Sequence, residues 1–137
     1  MIRYLLDTNV LSALIREPQG RIRGRLDDAA RADIVYTSVI VAAELRFGAS
    51  KRRATRLAEQ INAILTEIVI APFEQPMDGS YADLRASLER AGTPIGANDL
   101  WIAAQALHDG SVLVTDNTRE FGRVPGLAVE NWLMRAG

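Results

Sequence analysis

Short apolar runs alternate with longer amphipathic stretches along this chain, and the two periods together predict an α/β domain. Residues 2–7 (IRYLLD), 34–37 (IVYT), 67–73 (EIVIAPF), 111–115 (SVLVT) and 127–129 (LAV) read as strands. Between them apolar side chains recur at helical spacing. Thr8 or Asn9 caps a helix to about Ile15, stopped by Pro18 and Gly20, and residues 21–31 form a second, solvated helix. Ser38 caps a helix over residues 39–47 that Gly48 closes. Residues 52–66 set Leu57, Ile61, Ile64 and Leu65 on one face, and residues 76–91 turn Tyr81, Leu84 and Leu88 inward. Asn98 caps a helix over residues 99–108, which Gly110 ends. The expected architecture is one domain over residues 1–137: a mainly parallel central sheet of four to five strands flanked by helices on both faces.

Composition narrows the chemistry. At 137 residues the chain is long enough to bury a core without a disulfide or structural metal. It has no cysteine, which excludes a thiol nucleophile, an iron–sulfur site and a zinc finger. Its one histidine, His108, excludes multi-histidine metal sites and falls too far beyond Asp99 to join that residue. Apolar runs reach about five residues, far short of the ~20 that span a bilayer, and the first residues lack a leader pattern. A cytoplasmic protein without membrane contact is expected.

The net charge of −1 conceals a polarised chain. Residues 1–56 carry eleven basic and six acidic side chains, and residues 57–137 carry five basic and eleven acidic ones. The densest basic stretch, residues 45–56, holds Arg46, Lys51, Arg52, Arg53 and Arg56 and no acid. It is a candidate binding surface for a phosphate backbone, RNA if the resemblance described below holds, or else a solvated helix start. A second cluster, Arg21, Arg23 and Arg25, is offset by Asp27 and Asp28. The eight aromatic residues fall mostly in core-type segments, so a base-stacking platform is not expected.

In parallel sheets ligands bind beyond the carboxyl ends of the strands, and several acids fall there. Asp7 ends the first strand and Asp116 directly follows the fourth, while Asp99 stands in the first turn of a helix. Glu44 interrupts an otherwise apolar run from Val39 to Leu45. Each has a structural alternative: a turn residue, a helix-dipole partner, or an ion pair with Arg46. Gathered in one crevice, four carboxylates would repel one another unless a cation joined them. Hard oxygen ligands select Mg²⁺ or Mn²⁺ over zinc, and such an ion supports hydrolysis of a phosphodiester.

Four segments then carry a family likeness: residues 5–11 (LLDTNVL), 38–48 (SVIVAAELRFG), 95–104 (IGANDLWIAA) and 113–121 (LVTDNTREF), followed by VPGL and ENW. In this order and spacing the chain resembles PIN-domain ribonucleases, and among them the VapC toxins of bacterial VapBC toxin–antitoxin modules. The resemblance implies a Mg²⁺- or Mn²⁺-dependent endoribonuclease acting on structured RNA such as tRNA. It places the family's first three acids on Asp7, Glu44 and Asp99. Asp7 and Asp99 become metal ligands, and Glu44 a ligand or water-orienting base. The family's fourth acidic position is Asn117 here, with Asp116 one residue early as an indirect ligand. Thr8, Asn9, Ser38, Thr115 and Asn117 are expected to hold the carboxylates or the waters around the ion. A cognate VapB-type antitoxin and a homodimer are implied in the same way.

Two other classes begin with a strand-end aspartate. A haloacid dehalogenase-like phosphatase needs a second Asp where this chain has Asn9, and a phosphoacceptor receiver domain needs a late Lys where only Lys51 exists. A PIN-like RNA-binding module with an impaired site is the remaining alternative.

Overall fold

The computed structural model describes residues 1–133. Five strands form one sheet: β1 (Arg3–Leu6), β2 (Ile34–Ser38), β3 (Val69–Ala71), β4 (Val112–Val114) and β5 (Ala128–Glu130). Their order is β3-β2-β1-β4-β5 and every neighbouring pair is parallel. The strand at the centre has its apolar residues fully enclosed, as Leu5 and Leu6 have no exposed surface. Edge position has the opposite effect, leaving Val69 of β3 mostly exposed.

Seven helices connect the strands among the described residues: α1 (Thr8–Arg16), α2 (Arg21–Ala32), α3 (Val39–Arg52), α4 (Thr55–Glu67), α5 (Met77–Arg90), α6 (Ala97–Asp109) and the short α7 (Thr118–Phe121). The chain steps outward from β1 to β2 to β3, then returns across the sheet to β4 on the other side of β1. Right-handed crossovers place helices on opposite faces when the direction of winding reverses. α1 lies against α2, α3 and α4 and α5 against α6, and the two groups meet where α3 touches α6. Reversal occurs between β1 and β4, so the crevice at their carboxyl ends is the position where this topology accepts a ligand.

Several helix boundaries differ from the sequence expectation; α4 begins at Thr55 rather than at residue 52, which α3 occupies. α1 is capped by Asp7 itself, whose carboxylate accepts a hydrogen bond from the Thr8 amide, so Thr8 and Asn9 lie inside the first turn. α3 does not close at Gly48 but runs on to Arg52, and Arg53 ends it in the left-handed conformation (φ 52°). A helix-interior glycine costs only about 1 kcal/mol, and burial of Leu45 and Ala49 on either side carries the helix through. α6 begins after Gly96, leaving Asn98 inside the helix and free of the capping role. β1, β3 and β4 are shorter than their apolar runs, β2 is one residue longer and β5 is shifted by one, and α7 was not evident from periodicity because it is one turn long. No described helix is long and apolar enough to cross a membrane.

Candidate active site

Asp7 sits where β1 becomes α1 and is almost wholly buried, with 4% of its surface exposed. Burial of a carboxylate requires partners, and three donors are supplied. Its Oδ1 accepts from the Thr8 amide at 2.8 Å. Its Oδ2 accepts from the Thr115 hydroxyl at 2.8 Å and from Asn9 Nδ2 at 3.2 Å. Its own amide donates to the Val114 carbonyl at 2.9 Å, which ties β1 to the exit of β4. Thr115 is the hub of this arrangement. Its Oγ1 also accepts from Asn9 Nδ2 and from the Asn117 amide, both at 3.1 Å.

Glu44, one and a half turns into α3, points at the start of α1, where its Oε1 accepts from Thr8 Oγ1 at 3.1 Å. Asn98 of α6 supports the same carboxylate. Asp99 of α6 lies opposite, 3.5 Å from Asn117 Nδ2. The Asn117 amide group is shared with Glu120 Oε2 at 2.9 Å, and Glu120 Oε1 accepts from the Gly96 amide at 2.6 Å. Thus α7 presents an acid to the start of α6, and four carboxylates from four elements face one crevice.

Burial and mutual charge shift their pKa values in different directions. Burial, then the Glu120 carboxylate, then Asp7 and Glu44 push the Asp99 carboxyl from an ordinary 3.8 up to about 7. Burial raises Asp7, against the hydrogen bonds from Thr115, Thr8 and Asn9 that lower it. Burial also raises Glu44, with Asp7 adding repulsion. Glu120 moves the other way: the Gly96 amide and Asn117 stabilise its charged form, so Asp99 carries the proton of that pair.

The crevice therefore gathers Asp7, Glu44 and Asp99, together with Thr8, Asn9, Thr115 and Asn117. Three groups of sequence candidates fall elsewhere. Asp116 is exposed, and only its backbone amide reaches the site, donating to Asn9 Oδ1 at 3.0 Å. Asn9 draws that turn inward by its main chain, which turns the Asp116 side chain out. Ser38 touches no carboxylate. It caps α3 through the Ile40 amide and donates to the buried Gln105 at 2.6 Å. The basic stretch also divides. Arg46 donates to Asn62 of α4, and only Arg52 lines the cleft that Glu44 borders, while Lys51, Arg53 and Arg56 are exposed outside it. Conversely, Glu120, Asn98 and Arg16 enter the crevice or its cleft without having been expected. For Glu120 a signal existed, one helical turn after Asn117 in a segment that already carried the family likeness.

Comparison with known proteins agrees with this architecture. The PIN-domain family description matches residues 4–127. Ribonuclease VapC2 of Rickettsia felis is 35% identical over 130 residues, covering 94% of this chain and 97% of that protein. The chain belongs to the PIN-domain family, among its VapC members. A tRNA(fMet)-specific endonuclease VapC of Salmonella typhimurium is 34% identical over 133 residues, covering 96% of this chain and 99% of that protein. Among solved structures, VapBC2 from Rickettsia felis bound to a DNA fragment superposes with a TM-score of 0.90 at 34% identity, covering 96% of this chain and 99% of that chain. DNA-bound VapBC from Salmonella typhimurium gives 0.83 at 31% identity, with the same coverage.

The donor set of this PIN domain suits a hard divalent cation. It is all oxygen, and the Asp99 carboxyl is raised first by burial and then by the charges of Glu120, Asp7 and Glu44, whose repulsion a cation would relieve. Among the described residues, no three His, Asp or Glu side chains are gathered closely enough to enclose an ion by themselves. Mg²⁺ needs only one or two protein carboxylates, the rest of its shell being water or substrate oxygens.

Proposed function

We propose that this protein is a divalent-metal-dependent endoribonuclease, the toxin of a VapBC-type toxin–antitoxin pair. The observation that carries this reading is the convergence of Asp7, Glu44, Asp99 and Glu120 on the switch point beside β1. Asp7 and Asp99 would hold Mg²⁺ or Mn²⁺, with Glu120 and Asn117 taking the part first assigned to Asp116. A cation bound there lowers the pKa of water and offsets charge on the phosphoryl oxygens. Glu44, anchored by one oxygen to Thr8, is placed to orient the attacking water and receive its proton. Thr115 and Asn9 keep Asp7 in one rotamer, so that little reorganisation accompanies reaction. In-line attack by water expels the ribose 3′ oxygen, leaving 3′-hydroxyl and 5′-phosphate ends. Asn9 bonds to Asp7 and Thr115, which speaks against the phosphatase alternative needing an acid at that position.

The names of the relatives support structured RNA, including tRNA, as the substrate class, and the VapBC complexes support a VapB-type antitoxin as partner. A homodimer is proposed by the same likeness. The decisive experiment is sequencing of RNA 5′ ends after induced expression in bacteria, with Asp7→Asn as control. New 5′-phosphate ends at discrete RNA sites are expected from the wild type alone; the same ends from both proteins would exclude this active site.

A further inference from the structure

Next to the carboxylates a cleft of about 290 Å³ opens between α1 and α3, with α4 as its far wall. Thr8 and Glu44 form its inner end, and their hydrogen bond joins the two helices there. From that junction both helices run outward together. Arg16 lies eight residues beyond Thr8 on α1, and Arg52 lies eight residues beyond Glu44 on α3. Each arginine is therefore about 12 Å along its helix from the cutting site. Both arginines border the same cleft, Arg16 also bordering a second pocket with Glu17 and Arg21, and neither makes an ion pair or hydrogen bond to another side chain among the described residues. Between them the floor is apolar, built from Ile15, Leu57 and Ile61, and Gly48 leaves it open, with no atom within 4 Å of where a Cβ would stand.

We propose that this cleft is a substrate subsite: Arg16 and Arg52 clamp a backbone phosphate of the RNA strand beside the scissile one, and the intervening nucleoside lies over Gly48. The proposal rests on the ribonuclease reading above and adds to it the path of the strand. Two arginines without an ion-pair partner, lining a groove that begins in carboxylates, suit a polyanion held by its backbone while one bond is cut. An apolar floor accepts the face of a ribose or base without reading its sequence.

The test is fluorescence anisotropy of labelled bulk bacterial tRNA with the Asp7→Asn protein in EDTA, where no cleavage occurs. Adding Arg16→Gln or Arg52→Gln is expected to weaken binding about tenfold and to lower the salt slope by about 0.7. Gly48→Leu, which fills the floor, should weaken binding with an unchanged salt slope, and Arg90→Gln on α5 should change neither. Melting curves confirm that each variant is folded. Unchanged affinity and slope in both arginine variants would overturn the clamp. So would unchanged RNA affinity accompanied by weaker capture of the co-expressed antitoxin, because the cleft would then seat a protein segment. If the arginine variants lose tRNA binding while wild type with Mn²⁺ cuts tRNA no better than Asp7→Asn, the clamp stands and the nuclease reading falls.

Discussion

Asp99 is raised by burial and by the Glu120 carboxylate while Glu120 is lowered by the Gly96 amide, and this asymmetry can be measured. Asp99 has a folded-state value near 7 against 3.8 when unfolded, so the folded protein binds its proton more tightly between those limits. Its contribution to stability is complete below about pH 4 and is lost as pH rises through about 7. Asp7 and Glu44 act in the same direction, whereas Glu120, lowered below 4.5, acts only at more acid pH. Metal-free protein should therefore melt at a lower temperature at pH 8 than at pH 5, and Asp99→Asn should remove most of that difference. Thermal melts in EDTA across this range test it, and an equal slope in both proteins would contradict the assignment. Glu120 supplies a second test. Glu120→Gln should lower RNA cleavage by about 10- to 100-fold, as expected for a group beside a metal site, while Asp116→Asn stays near wild type. Cleavage rates for the two purified variants, measured side by side, decide between them.

At the scale of elements, the residues that hold the site are also those that begin its helices. Asp7 caps α1, Glu44 faces the first turn of α1 from α3, and Asp99 and Asn98 lie in the first turn of α6. Helix starts are regular enough to be anticipated from caps and apolar period, and so the segments bearing these acids were legible. Ser38 shows where that reasoning stops. Its position after β2 suggested support for the carboxylates, but its hydroxyl is taken up by the α3 cap and by Gln105, a partner 67 residues away. Ser38→Ala should cost about 2 kcal/mol in stability, combining a lost cap with an unsatisfied buried amide. Metal affinity, read by calorimetry, should be unchanged; a large loss of affinity would return Ser38 to the site. Gly24 offers a contrast within α2, where it is exposed and a Cβ meets nothing within 4 Å. Gly24→Ala should stabilise the protein by about 0.5–1 kcal/mol in denaturant unfolding without altering cleavage.

On the scale of the whole molecule, the sheet order concentrates negative charge at one end of a nearly neutral protein. The contrast between the basic first half and the acidic second half does not survive folding as two separate faces. Asp7 and Glu44 come from the basic half, Asp99 and Glu120 from the acidic half, and all four meet at the reversal beside β1. A ligand that bridges them should stabilise the folded state by mass action. Mn²⁺ is accordingly expected to raise the melting temperature more at pH 8 than at pH 5, since protons compete for the same oxygens at low pH. Asp7→Asn should abolish the shift, and a shift that persisted in this variant would place the ion elsewhere.

What the chain determined by itself was local and periodic. Apolar runs specified the strands, helical spacing specified all the helices longer than one turn, and a carboxylate inside an apolar run marked Glu44 as a residue that required a partner. Absence of cysteine and a single histidine left oxygen ligands as the available chemistry. Tertiary structure decided which side chains face each other across long separations. Thr115 reaches Asp7 over 108 positions, Glu120 reaches the Gly96 amide over 24, and Arg16 and Arg52 line one cleft that neither helix defines alone. Such pairings depend on strand order and on the hand of the crossovers, which no window of sequence contains. That is why Asp116, adjacent to the motif, turned outward while Glu120 turned in.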